Sequence, residues 1–135
     1  MTTRVLVTGG AGYIGSILVP ALLAEGCQVT VIDSLLFRQA SLLDVCAHPA
    51  FAFIRADARD ASLVARELGK HDVVIPLAAL VGAPACDRNP ITATTLNLDA
   101  VRTIADGVSA DQLVVYPTTN SGYGVGQGGI YCDEQ

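Results

Sequence analysis

Short apolar runs rich in β-branched residues recur along the 135-residue chain, at residues 5–8, 29–32, 51–54, 73–77 and 113–116. Their continuous rather than alternating apolar character predicts strands buried on both faces. Between them the apolar positions take helical spacing. The clearest such stretch is 90–108, where Ile91, Leu98, Val101, Ala105 and Val108 fall along one face. Asn89 is its expected N-cap and Pro90 its first residue. Helices are also expected at 13–25, closed by Gly26, at 39–47, and at 61–68, closed by Gly69. Pro20 lies inside the first of these, where it removes a backbone donor and costs about 3 kcal/mol unless the helix kinks. Residues 121–135 hold five glycines and no periodicity, and read as a loop-like tail.

Strands alternating with helices predict an α/β fold with a doubly wound parallel sheet, because each right-handed crossover must cover an apolar sheet face. The length suits one domain, residues 1–135, with a sizeable core. Hydrophobic residues make up 51% and charged residues 16%, far from the composition of a disordered chain. A net charge of -5 argues against nucleic acid as a partner, since a phosphate backbone is bound through clustered Lys and Arg. The start, MTTRVLVTGG, is not a secretory leader, and no run of about 18 apolar residues spans a membrane, so a cytoplasmic location is expected. Cys27, Cys46, Cys86 and Cys132 form no Cys-x-x-Cys or Cys/His spacing, so no metal site is expected and the thiols read as reduced packing or surface groups.

The chemistry begins at TGGAGYIGS, residues 8–16, where Gly9, Gly10, Gly12 and Gly15 follow a strand and open a helix. Backbone amides there can approach a pyrophosphate without obstruction from Cβ atoms, and the helix N-terminus adds positive potential. Asp33 stands 18 residues after Gly15 at the end of the second strand, where a carboxylate accepts hydrogen bonds from adenosine ribose hydroxyls. It favours NAD over NADP, because it would face the 2′-phosphate with only Arg38 nearby to offset the repulsion. Asp57 follows the third strand at the ligand-binding edge and can accept from an adenine amino group; its alternative is a solvated loop acid or a cap, with Asp60 the better cap. The small residues of 76–84 would let a nicotinamide ribose or a substrate lie close to the backbone, although core packing explains Leu77 and Leu80 equally well.

Taken together, TGGAGYIGS with Asp33, the ADARD stretch around Asp57, LAAL at 77–80, Asn97 in TLNLDAV, and YPTTNSGYG at 116–124 resemble the extended short-chain dehydrogenase/reductase family. The resemblance is to the N-terminal part of its NAD-dependent nucleotide-sugar epimerases and dehydratases, and implies a Rossmann domain. It implies that Gly9, Gly12, Tyr13 and Ile14 contact the pyrophosphate, and that Asp33, with Ser34 beside it, holds the adenosine ribose. It gives Asp57 and Ala58 to the adenine, Leu77, Ala78 and Ala79 to the middle of the cofactor, and Asn97 to steadying the site. Thr119, four residues before Tyr123-Gly124, becomes the catalytic hydroxyl that bonds the sugar oxygen; its alternative is a strand-end hydroxyl satisfying nearby backbone.

Two departures qualify what the resemblance implies. The family's 4,6-dehydratases place acids just after that Thr, where this chain has Asn120 and Ser121, neither able to transfer a proton as a carboxyl group would. The family's catalytic base is the Tyr of a Tyr-x-x-x-Lys pair, and no tyrosine of this sequence is followed by a lysine at that spacing. The expectation is therefore the NAD-binding part of a nucleotide-sugar epimerase, inactive by itself and corresponding to roughly the first two-fifths of such an enzyme. The alternatives are a reductase, dehydrogenase or 4,6-dehydratase of the same family, or a non-catalytic dinucleotide-binding module. The partner is a nucleotide sugar, and the resemblance offers 90–108 as a homodimer surface.

Overall fold

A computed structural model describes residues 2–119. Five parallel strands form the sheet: β1 (Arg4–Thr8), β2 (Gln28–Asp33), β3 (Phe51–Arg55), β4 (Val73–Pro76) and β5 (Leu113–Val114), in the order β3-β2-β1-β4-β5. The central strand β1 pairs with β2, Val5 against Val29, and with β4, Val5 against Val73. Because successive side chains point to opposite faces, the apolar runs feed two cores. Val5, Val7, Val29 and Val31 pack against Val19 and Leu23 of α1 (Gly15–Ala24), while Leu6, Ile32 and Val74 pack against α2 (Ala61–Leu68) and Ile104. Burying each such side chain stabilises the fold by about 1.5–3 kcal/mol, so these faces dominate its energetics.

The helices depart from the sequence expectation in instructive ways. α1 starts at Gly15 rather than at residue 13 and runs unbroken through Pro20. α2 has the predicted bounds, and Asp60 caps it by accepting from the Leu63 amide at 3.0 Å. The helix expected at 39–47 shrinks to a single 3₁₀ turn, Leu43–Val45. Its segment is held as a loop instead: Leu35 and Arg38 take left-handed φ values of 55° and 53°, and Ser41 Oγ donates to the Ala11 carbonyl at 2.7 Å. The expected helix 90–108 is three pieces, α4 (Pro90–Thr94), a π-helical turn (Thr95–Asp99) and α5 (Ala100–Gly107). The π turn rotates the face that follows it, so Ala100 and Ile104 enter the core while Ile91 and Leu98 of the predicted stripe are exposed. Asn89 makes no side-chain cap, and a short helix not expected from the sequence, α3 (Ala83–Arg88), precedes it. The fifth strand is only two residues long; residues 121–135, expected as a tail, and Cys132 lie outside the described residues.

At the N-terminal edge of the sheet an ion pair ties β1 to the approach of β4. Arg4 donates from Nε (3.1 Å) and from its backbone amide (2.9 Å) to Asp72 Oδ2, and from Nη2 to Oδ1 at 2.6 Å. Hydrogen bonds from the Arg4 side chain, then from its backbone amide, lower the Asp72 pKa from 3.8 to about 2. A folded-state pKa below the unfolded one contributes stability above the unfolded value that is lost as pH falls through the folded value. Asp72→Asn should therefore lower the urea midpoint at pH 7, and its difference from the wild type should shrink as pH drops from about 4 to about 2. A difference that stayed constant across that window would contradict the pairing.

Candidate functional site

In a sheet of this order, connections leave the middle in opposite directions between β1 and β4, opening a crevice beyond the C-terminal ends of those strands. The glycine turn lies there. The Gly9 amide donates to the Ile32 carbonyl at 2.8 Å, and the Leu77 amide donates to the Thr8 carbonyl at 2.8 Å. These bonds draw the turn against the segment after β4 so closely that a Cβ on Gly9, whose φ is +72°, would overlap the Ala78 amide. A Cβ on Gly15 would overlap the Gly10 carbonyl, so α1 begins directly on the turn.

Asp33 organises this edge. Its buried carboxylate accepts from the Ala11 amide at 3.0 Å and from the Leu35 amide at 2.8 Å, joining the glycine turn to the loop after β2. A carboxylate offers about four lone-pair sites, which leaves acceptor capacity for a ligand. The Tyr13 and Ile14 amides find no acceptor among the described residues, and no acidic side chain occupies the first turn of α1. That end of the helix retains its capacity to bind an anion.

Asp57 is held by a residue that the sequence did not single out. Arg59 donates to it from Nε (2.9 Å), Nη2 (2.5 Å) and its backbone amide (2.9 Å), and from Nη1 to Thr95 Oγ1 at 3.1 Å. The side-chain bonds from Arg59 outweigh burial and keep the Asp57 carboxyl below its ordinary pKa, hence charged. Arg59 thereby ties the loop after β3 to the π turn. Acid and base two residues apart resemble a solvated pair in sequence, and only the turn between them brings them into bidentate contact.

Asn97 sits in the middle of the π turn. Its Oδ1 accepts from the Leu80 amide and its Nδ2 donates to the Leu80 carbonyl, both at 2.8 Å. It thus fixes the backbone of the segment after β4, the wall of the crevice. Asn97→Ala should cost about 1–3 kcal/mol by urea unfolding, because both Leu80 backbone groups lose a partner, and should weaken ligand binding several-fold. Unchanged stability would show that the clamp is not formed in solution.

Two adjoining clefts of about 230 and 530 Å³ occupy the crevice. The first is lined by Asp33, Ser34, Asp57, Ala58 and Ala78, the second by Tyr13, Ile14 and Ser16, and both by Gly9, Gly12, Leu77 and Ala79. Eleven of the twelve residues expected to hold the cofactor thus meet at one place, and Asn97 acts from behind it through Leu80. Thr119 is exposed beyond β5 and lines neither cleft. Leu36, Phe37, Gln39, Arg59, Thr92 and Leu96 also line the first cleft and were not anticipated. Leu36, Phe37 and Gln39 follow Asp33 directly in the chain, and that proximity was the one sequence signal for any of them.

A parallel sheet with a phosphate-ready glycine turn at its switch point and a carboxylate closing the next strand defines a dinucleotide-binding Rossmann domain. The NAD dependent epimerase/dehydratase family matches residues 5–134, and the chain belongs to that family. A UDP-N-acetyl-alpha-D-glucosaminuronate decarboxylase from Bacillus cytotoxicus is 30% identical over 93% of this chain and 39% of its own length. A dTDP-glucose 4,6-dehydratase from Streptomyces venezuelae, solved with NAD bound, superposes with a TM-score of 0.84 at 35% identity, covering 96% of this chain and 43% of that one. A UDP-N-acetylglucosamine 4-epimerase from Methanobrevibacter ruminantium, in complex with UDP-N-acetylmuramic acid, superposes with a TM-score of 0.85 at 28% identity, over all of this chain and 44% of that one. The chain spans between 25% and 39% of the length of the first curated relatives it matches. The family is NAD-dependent, the relatives include epimerases, dehydratases and a decarboxylase, and several of the similar solved structures hold NAD. Among the described residues no helix is long and apolar enough to cross a membrane.

Proposed function

We propose that this chain is the NAD-binding part of a nucleotide-sugar epimerase. The observation that carries the reading is the convergence of the glycine turn, Asp33, Asp57 and Leu77 to Ala79 on one crevice at the switch point. The free amides at the start of α1 suit a pyrophosphate, the Asp33 carboxylate suits ribose hydroxyls, and the charged Asp57 suits an adenine amino group. When bound, NAD supplies a reversible hydride acceptor for a sugar carbon. In this reading Thr119, five residues beyond β5 and outside both clefts, is the hydroxyl that orients the sugar oxygen. Proton transfer from the sugar hydroxyl requires a base such as the tyrosine of Tyr-x-x-x-Lys, which the 135 residues do not contain, so the chain by itself turns over no substrate.

Asn120 and Ser121 favour epimerisation over 4,6-dehydration, because elimination of water needs carboxyl groups at those positions. The test is an assay of UDP- and dTDP-hexoses with NAD, using this chain alone and joined to a downstream segment that supplies Tyr-x-x-x-Lys. The joined protein should interconvert epimers with no net NADH, and the chain alone should not. A 4-keto-6-deoxy product would point to a dehydratase, steady NADH release to a dehydrogenase, and NAD binding without turnover in the joined protein to a non-catalytic binding module.

A further inference from the structure

The π turn stands between two walls of the first cleft and holds both. Side chains two residues apart on a helix lie on nearly opposite sides, and Thr95 and Asn97 use that geometry. Asn97 takes both backbone groups of Leu80 in the segment after β4. Thr95 reaches the loop after β3, where its Oγ1 accepts from Arg59 Nη1 at 3.1 Å. Leu96, between them, lines the cleft itself. The Thr95 hydroxyl donates its one proton back along the helix, to the Ile91 carbonyl at 2.9 Å with the Thr92 carbonyl at 3.3 Å, which leaves its lone pairs for the guanidinium. Arg59 commits its other bonds to Asp57: Nε and the backbone amide donate to Oδ1, and Nη2 donates to Oδ2. Oδ1 thus accepts two bonds and Oδ2 one, so the spare acceptor position of this carboxylate is on Oδ2, and the fork of Arg59 fixes where it points.

We propose that Thr95 is a positioning residue for the adenine end of the cofactor, orienting the Asp57 carboxylate through Arg59 so that Oδ2 accepts from the adenine amino group. This rests on the reading above in which Asp57 meets the adenine, and adds the residue that sets the direction of that contact. Asp57 and Arg59 are both partly exposed on one loop, and a guanidinium held by Asp57 alone swings together with it. An anchor on a separate element removes that freedom before the ligand arrives, which lowers the entropy lost on binding. The benefit falls on one hydrogen bond, so it appears only with a ligand that carries the amino group.

The test is calorimetric titration of NAD, and of its analogue with hydrogen in place of the adenine amino group, into the wild type and Thr95 variants. The wild type should bind NAD about tenfold more tightly than the analogue, as one hydrogen bond to a charged acceptor provides. In Thr95→Val that preference should fall to about twofold through weaker NAD binding, with the affinity for the analogue unchanged. Thr95→Ala, which lacks the hydroxyl without keeping the β-branch, should do the same, and Thr95→Ser should restore the wild-type ratio. In an Arg59→Lys background, where the fork is already lost, Thr95→Val should change nothing further. An equal loss for both dinucleotides in the Val and Ala variants would make Thr95 merely structural, and an unchanged ratio would show that Arg59 needs no second anchor; either result overturns the proposal. A wild type that binds NAD and the analogue equally would overturn the assignment of Asp57 to the adenine, and this inference with it.

Discussion

Gly9→Ala should abolish measurable NAD binding and lower the thermal midpoint by about 10 °C, whereas Gly26→Ala should lower it by about 4 °C and leave NAD affinity unchanged. Both glycines have positive φ, +72° and +81°. An alanine at either loses about 1–2 kcal/mol to left-handed backbone. Only at Gly9 does the new Cβ also meet another chain segment, the backbone at Leu77 and Ala78, while at Gly26 nothing lies within 4 Å. The overlap adds about 1–3 kcal/mol and forces apart the two walls of the crevice. The difference between the two variants, measured by thermal unfolding and calorimetry, isolates the close approach of β1 and β4 from the conformational cost. Equal effects would show that the turn does not touch the segment after β4.

Asp33→Ala should cost about 2–4 kcal/mol in urea unfolding and weaken NAD binding by at least thirtyfold. The stability loss follows from stranding the Ala11 and Leu35 amides, which the buried carboxylate now satisfies, at about 1–3 kcal/mol for each buried group left unpaired. The binding loss has two sources, the removed ribose acceptor and the released loop. Asp33→Asn should fall between, since its amide oxygen can accept from only one of the two anchors well. A variant as stable as the wild type and equally tight for NAD would contradict both roles.

The central strands were legible because burial on both faces writes an unmistakable pattern, as in Val5 to Val7 and Val29 to Ile32, where side chains from one run enter two different cores; the edge runs carry the same apolar pattern, but the burial expected of them is not found, since β3 and β5 are largely exposed. The glycine turn and Asp33 were legible because their chemistry is local: a turn that excludes Cβ atoms and a carboxylate at a strand end. The loop after β2 was not. Leu42, Leu43 and Val45 mimic a helical stripe, but only Leu42 is buried, and the anchors that keep the segment open, Asp33 to Leu35 and Ser41 to Ala11, join residues whose pairing depends on the folded edge. The π turn was equally hidden. It shifts the phase between Ile91 and Ile104 and brings Asn97 onto Leu80, 17 residues away, a contact that no regular period encodes. Arg59 went unnoticed for the same reason, since it acts through a loop geometry.

The most direct measurement is an amide-resolved NMR titration of the chain with NAD. Saturable shifts are expected at Gly9, Gly12, Tyr13, Ile14, Asp33, Asp57 to Arg59 and Leu77 to Leu80, with Arg4, His71 and Asp72 at the opposite edge of the sheet unmoved. Shifts confined to that opposite edge, or no saturable shifts at millimolar NAD, would contradict it.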